Sequence, residues 1–191
     1  MRRLLIISTI ILCFSCKEKD RQAAPAETRP IQALAQDSNL HLVNGTLYYA
    51  GKLFNGTLSE KYPGGQTKSR FAYRYGRQDG LSETFYEDGK PESKRWYARG
   101  EKDSVHSGWW PNGHVKYEYH FDKGNYEGWF SEWYQSGSLV QQVLYKNGKE
   151  VCGKGWRENG KLYMSFVMKN NRRYGLFNAN LCYSLTKESI R

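Results

Sequence analysis

The side chains that most often carry chemistry are few in this sequence and poorly spaced for it. His41, His106, His114 and His120 are scattered along the chain. His114 and His120 would share one face of a strand but stand about 20 Å apart at roughly 3.3 Å per residue, too far for one metal ion. Glu60, Glu83, Glu118 and Glu132 recur where strands are expected to face solvent, and solvated charge is the reading they support. No phosphate-cradling glycine loop, dinucleotide fingerprint, zinc-protease helix or nucleophile elbow is present. The expectation is a protein with no catalytic residue, no cofactor and no metal.

Aromatic side chains are concentrated instead, at 15% of the chain, with 15 Tyr and 6 Trp. Two adjacent positions recur as large residues ahead of each expected turn: Lys61 and Tyr62, Phe85 and Tyr86, Trp109 and Trp110, Trp133 and Tyr134. Neighbours in a strand face opposite sides, so both faces carry rings there. Phe85, Trp109 and Trp133 should form a row on one face, with Trp129 near its end. Flat rings so placed can stack on a sugar or pack on a protein, and these four residues are the candidate binding surface. The competing reading is that the row is the second half of the core.

Those rings are positioned by a repeat. Gly65, Gly89, Gly113 and Gly137 are each 24 residues apart, and Gly76, Gly100, Gly124 and Gly148 keep the same period 11 residues later. A fixed period of this size marks stacked structural units. After a half unit, Leu42 to Lys52, full units start at Gly56, Gly80, Ser104, Gly128 and Cys152, each reading as strand, tight turn, strand, turn. The first turns, such as Asp88-Gly89 and Asn112-Gly113, are dipeptides that supply positive φ to hairpins. Tyr73, Tyr97, Phe121, Tyr145 and then Met168 form a column expected in the core. The opposite face is polar early, with Gln66, Lys68 and Arg70, and mixed later, with Val140, Leu144, Tyr163 and Val167. The later units are therefore expected to be covered, by the chain's own end or by a partner. Cys152 to Gly160 is one residue shorter than Gly128 to Gly137, which predicts a bulge near Gly153 to Glu158. The fold expected is all-β, an elongated single-layer antiparallel meander of about 11 to 12 short strands, over residues 42–183, with a tail at 184–191.

Residues 1–16 read as a leader: Arg2 and Arg3, an apolar stretch from Leu4 to Phe14, then Ser15 and Cys16. The stretch is shorter than the roughly 20 residues that span a bilayer. Ser15-Cys16 resembles the lipobox of bacterial lipoproteins, and that resemblance implies acylation of Cys16, for instance by palmitate. Cys13 stands three positions before it, where leucine is commonest in that family. Residues 17–41 read as a flexible tether of Ala, Gln, Pro and charged residues. Lys17, Glu18, Lys19 and Asp20 resemble the charged tag that exports some lipoproteins to the outer-membrane surface. The net charge is +10, or +8 without Arg2 and Arg3, which favours anionic partners in general. Cys152 and Cys182 would stand about 20 Å apart in the meander, beyond the roughly 4.4 to 6.8 Å of a disulfide, so no bond between them is expected.

Taken together, the glycine, the aromatic pair and the two turns resemble the MORN (membrane occupation and recognition nexus) repeat in its bacterial variant, over about residues 42–175. Asn44-Gly45-Thr46-Leu47-Tyr48-Tyr49 and Phe54-Asn55-Gly56 resemble the start of such arrays. The resemblance implies a twisted antiparallel sheet. Members are linked to membranes and protein scaffolds, and many bacterial ones are labelled toxin-antitoxin antitoxin components. Gly155-Trp156 to Tyr163 is also faintly similar to choline-binding hairpins, without their regular two-ring cage. The functional expectation is a non-enzymatic, lipid-anchored lipoprotein of the cell envelope, at the outer membrane, facing the periplasm or the surface. Its sheet would bind a protein or polysaccharide, with no nucleic acid or metal expected. The alternative is an antitoxin-like protein that neutralises a toxin by direct binding.

Overall fold

The computed structural model describes residues 30–177. The leader, Cys16, most of the expected tether and Cys182 lie outside the described residues.

Glycine-closed turns and β-branched or aromatic strands give an all-β molecule. The long sheet runs from β5 (Gly56–Lys61) and β6 (Thr67–Arg74) through β7 (Arg77–Phe85), β8 (Pro91–Ala98) and β9 (Glu101–Trp109) to β10 (Val115–Asp122). It continues through β11 (Asn125–Trp133), β12 (Leu139–Lys146), β13 (Lys149–Trp156), β14 (Leu162–Lys169) and β15 (Arg172–Phe177). Each of these strands pairs antiparallel with its chain neighbour, which is the expected meander. At the other edge β1 (Ile31–Leu34) pairs parallel with β5. β2 (Leu40–Val43), β3 (Thr46–Tyr49) and β4 (Lys52–Leu53) form a separate small sheet. The tether expected over 17–41 is thus corrected at its end, because Ile31 and Ala33 supply apolar contacts that the composition reading overlooked. The half unit is a cap. Phe54, with no exposed surface, packs with Ala33 and Leu47, and Ile31, Leu40, Tyr49, Leu58 and Tyr73 surround them.

Two kinds of turn alternate, and both are tied to the next unit, which is what the 24-residue period encodes. First turns are three-residue loops in which the closing glycine donates back to the residue that opens the loop, as Gly113 N–H does to the Trp110 carbonyl at 2.8 Å. Only the glycine has positive φ, for example 89° at Gly113, so the expectation that the whole dipeptide supplies it is corrected. Second turns carry positive φ at both central residues, as at Arg99 and Gly100 (51° and 90°), the two-residue type I′ hairpin. The second-turn glycines also donate backward: Gly76 to Phe54, Gly100 to Gln78, Gly124 to Lys102 and Gly148 to Tyr126.

At the first turns the second member of each aromatic pair reaches forward to the carbonyl of the first member in the next unit. Tyr62 donates to Phe85 at 2.8 Å, Tyr86 to Trp109 at 2.7 Å, Trp110 Nε1 to Trp133 at 3.0 Å, and Tyr134 to Trp156 at 3.1 Å. Each such bond contributes on the order of 1 kcal/mol. The sequence marks this role only by the recurrence of a ring with a donor.

Register breaks explain the slip. In β7, β9 and β11 two extra residues bulge out near the strand start: Phe71 and Tyr73 face Ser82 and Gln78, and Tyr119 and Phe121 face Phe130 and Tyr126. The bulges hold Gly80, Ser104 and Gly128 at φ of 102°, 57° and 83°. In β13, Leu144 and Tyr145 face Cys152 and Glu150, so one extra residue remains, and β14 and β15 pair without a break. The bulge expected near Gly153 to Glu158 is present, between Gly155 and Trp156, but the missing residue itself is absorbed at Val151. The register shift between Gly155 and Trp156 is the ordinary pre-turn bulge that β5, β7 and β11 also show.

Candidate functional site

Alternation divides the sheet into a ring-packed face and an open face. On the first, Tyr97, His106, Phe121, Tyr126 and Tyr145 make successive ring contacts at centroid distances of 4.6 to 5.3 Å. The expected Tyr73, Tyr97, Phe121 and Tyr145 column lies here. Phe130 stacks on Tyr119 at 4.0 Å, and the Tyr119 hydroxyl donates to Glu132 at 2.6 Å. Burial, then that carboxylate bond, holds the Tyr119 phenol well above its ordinary range, so it stays a proton donor. Gly108 lies against the Tyr117 ring and Gly153 against Phe166, where an added Cβ would clash with ring carbons.

The open face carries the candidate rings. Phe85, Trp109 and Trp133 stand at equivalent pre-turn positions, half-buried, and Trp156 is a fourth member of their row. Arg70 lies 5.1 Å over the Phe85 ring while pairing with Glu83, so this end of the row is covered by its own sheet. Trp129 lies elsewhere. Four residues before Trp133 on β11, it begins a second row: Trp129 faces Leu144, Leu144 faces Cys152, Cys152 faces Val167, and Val167 faces Tyr174. This row is unbroken over five strands because β13 has lost one bulged residue and β15 has no bulge. Trp129, Val167 and Tyr174 are 48, 55 and 49% exposed, an apolar stripe with water on it.

Between the two rows runs a polar line, with Gln142 and Lys154 flanked by Ser131 and Ser165; Gln142 donates to Ser131 at 3.2 Å. Trp129 and Trp156 wall a groove of about 410 Å³ whose floor includes Gln142, Cys152, Lys154 and Val167. Two indoles with an amide and an ammonium between them can clasp a flat or extended ligand by stacking and hydrogen bonding. Nothing in the groove is arranged as nucleophile and base. Among the described residues no three His, Cys, Asp or Glu side chains are close enough to hold a metal ion. Trp156 was missed as a site residue because the row was drawn from units that keep the full period.

The family model of the MORN repeat variant matches residues 78–98, 102–123 and 126–147, which are β7–β8, β9–β10 and β11–β12. Three MORN-variant repeats are found in this chain. Repeats of this family are non-catalytic modules that generally serve recognition. No curated protein matches the chain. The groove begins on the third matched MORN repeat, at Trp129, and extends past it onto β13 and β14. Its particular chemistry is thus built where the repeat pattern departs from its period.

Proposed function

We propose that the protein is a non-enzymatic recognition module whose binding surface is the open face of its last units. The observation that carries this is the groove of about 410 Å³ between Trp129 and Trp156, continuous with the exposed stripe through Val167 and Tyr174. A stripe crossing five strands fits an extended partner, a polypeptide segment or a glycan chain, with Gln142 and Lys154 reading its polar groups. Trp109 and Trp133, whose carbonyls accept the turn staples, contribute mainly to the sheet. The Arg2–Cys16 pattern supports export and lipid attachment at Cys16, which would place the module at the cell envelope on a tether.

A crosslinked pull-down from the envelope tests the surface. The Trp129→Ala, Trp156→Ala double variant should lose partners that the wild type and a Phe85→Ala variant retain; an unchanged set of partners removes the groove from the account. Palmitate labelling with a Cys16→Ala control tests the anchor, and an unlabelled wild type overturns it.

A further inference from the structure

The ring-packed face holds a second cavity, of about 240 Å³, between β8 and β11. Its walls are Tyr97, Tyr117, Tyr119 and Tyr126, and two cations, Arg95 and Lys102, open onto it. No carboxylate lines it, and among the described residues neither cation forms an ion pair. Arg95 directs Nε and an Nη2 at one phenol oxygen, that of Tyr117, at 3.4 and 3.3 Å, distances long for a guanidinium that could take a carboxylate in fork geometry. The Lys102 ammonium rests 5.0 Å over the Phe121 ring. Two like charges on a shared aromatic floor, neither of them in an ion pair among the described residues, leave a place for an external anion.

The aromatic walls specify more than charge. Tyr117 and Tyr119 stack face to face with centroids 4.5 Å apart and Phe130 covers the other side of Tyr119 at 4.0 Å, so the stack turns a wall of apolar ring edges to the cavity, with the Tyr117 hydroxyl beside Arg95. A sugar ring presents an apolar face ringed by hydroxyl groups, and a carboxylate on it supplies the missing anion. We propose that this cavity binds a sugar acid, a uronic-acid unit whose carboxylate sits between Arg95 and Lys102 and whose ring packs against the tyrosine edges. The site is on the opposite face from the Trp129–Trp156 groove and stands or falls separately from it.

Titration calorimetry of the full chain with glucuronate, glucose and inorganic phosphate tests it. Glucuronate should bind, with glucose and phosphate each at least about tenfold weaker. Arg95→Gln and Lys102→Gln should each weaken glucuronate by about tenfold or more without changing the melting temperature appreciably, and Trp156→Ala should leave it unaltered. Lys102 is exposed, so its variant carries the test even where Arg95→Gln perturbs folding. Equal binding of glucose removes the role of the cations, and equal binding of phosphate removes the sugar ring. Absence of glucuronate binding, or wild-type affinity in Lys102→Gln, overturns the site.

Discussion

Ser104 occupies a position that Gly80 and Gly128 hold in the flanking units, and it keeps their left-handed backbone at φ 57°. An L-residue there costs on the order of 1 kcal/mol relative to glycine. Ser104→Gly is therefore expected to raise stability by about that amount in urea denaturation, with an unchanged m value. His106 shows the opposite economy. Its ring is buried, its Nε2 lies 2.7 Å from the Trp96 carbonyl and so carries the proton, and it packs between Tyr97 and Phe121. Burial first, with Lys102 and Arg95 adding to it, lowers the imidazole's affinity for a second proton below the ordinary His value of 6.5. The unfolded chain then binds that proton before the folded one does. Stability from this residue is complete above about pH 6.5 and is lost as the pH falls below it. The melting temperature should drop between pH 7.5 and 5.5, and the drop should be smaller in His106→Phe. Equal slopes in the two proteins would contradict the assignment.

At the scale of strands and turns, much was legible from spacing alone. The glycines placed the turns, and the recurring column of Tyr73, Tyr97, Phe121 and Tyr145 placed the faces, because a hairpin has few ways to satisfy its backbone. What spacing could not show was which extra residues bulge. Gly80 and Gly128 read as unit starts, yet their conformation is that of a bulge, and the shortfall between Cys152 and Gly160 is relieved at Val151, two residues before Gly153. The parallel strand at Ile31–Leu34 was hidden for another reason: four residues beside a Pro-rich, charged segment carry too little periodicity to announce a strand. Inserting one glycine between Glu150 and Val151 should restore the two-residue bulge. The expected outcome is a folded sheet in which hydrogen-exchange protection falls around Leu144 and Cys152 while β5 to β10 keep theirs. Protection unchanged at Cys152 would contradict the account of the continuous row.

Among the described residues the extensive contacts of the long sheet are between strands adjacent in it, and its stability is then close to a sum of interfaces stapled by one side-chain bond and one glycine N–H per repeat. Phe54 with Ala33 and Leu47 closes one end, while the other keeps an exposed apolar stripe on β11 to β15. The candidate surface was only half legible in the sequence. Trp129 was found, but it was assigned to the row of Trp109 and Trp133, since the cross-strand pairing that joins it to Val167 and Tyr174 depends on the lost residue in β13. The most direct test of this surface uses the thiol already in the groove. The alkylation rate of Cys152, followed by peptide mass spectrometry, can be compared between the purified full chain and the protein inside intact cells that make it. Alkylation should be several-fold slower in the cells, with the slowing abolished by Trp129→Ala and Trp156→Ala together. Equal rates in the two settings would contradict the claim that the late open face is where this protein binds.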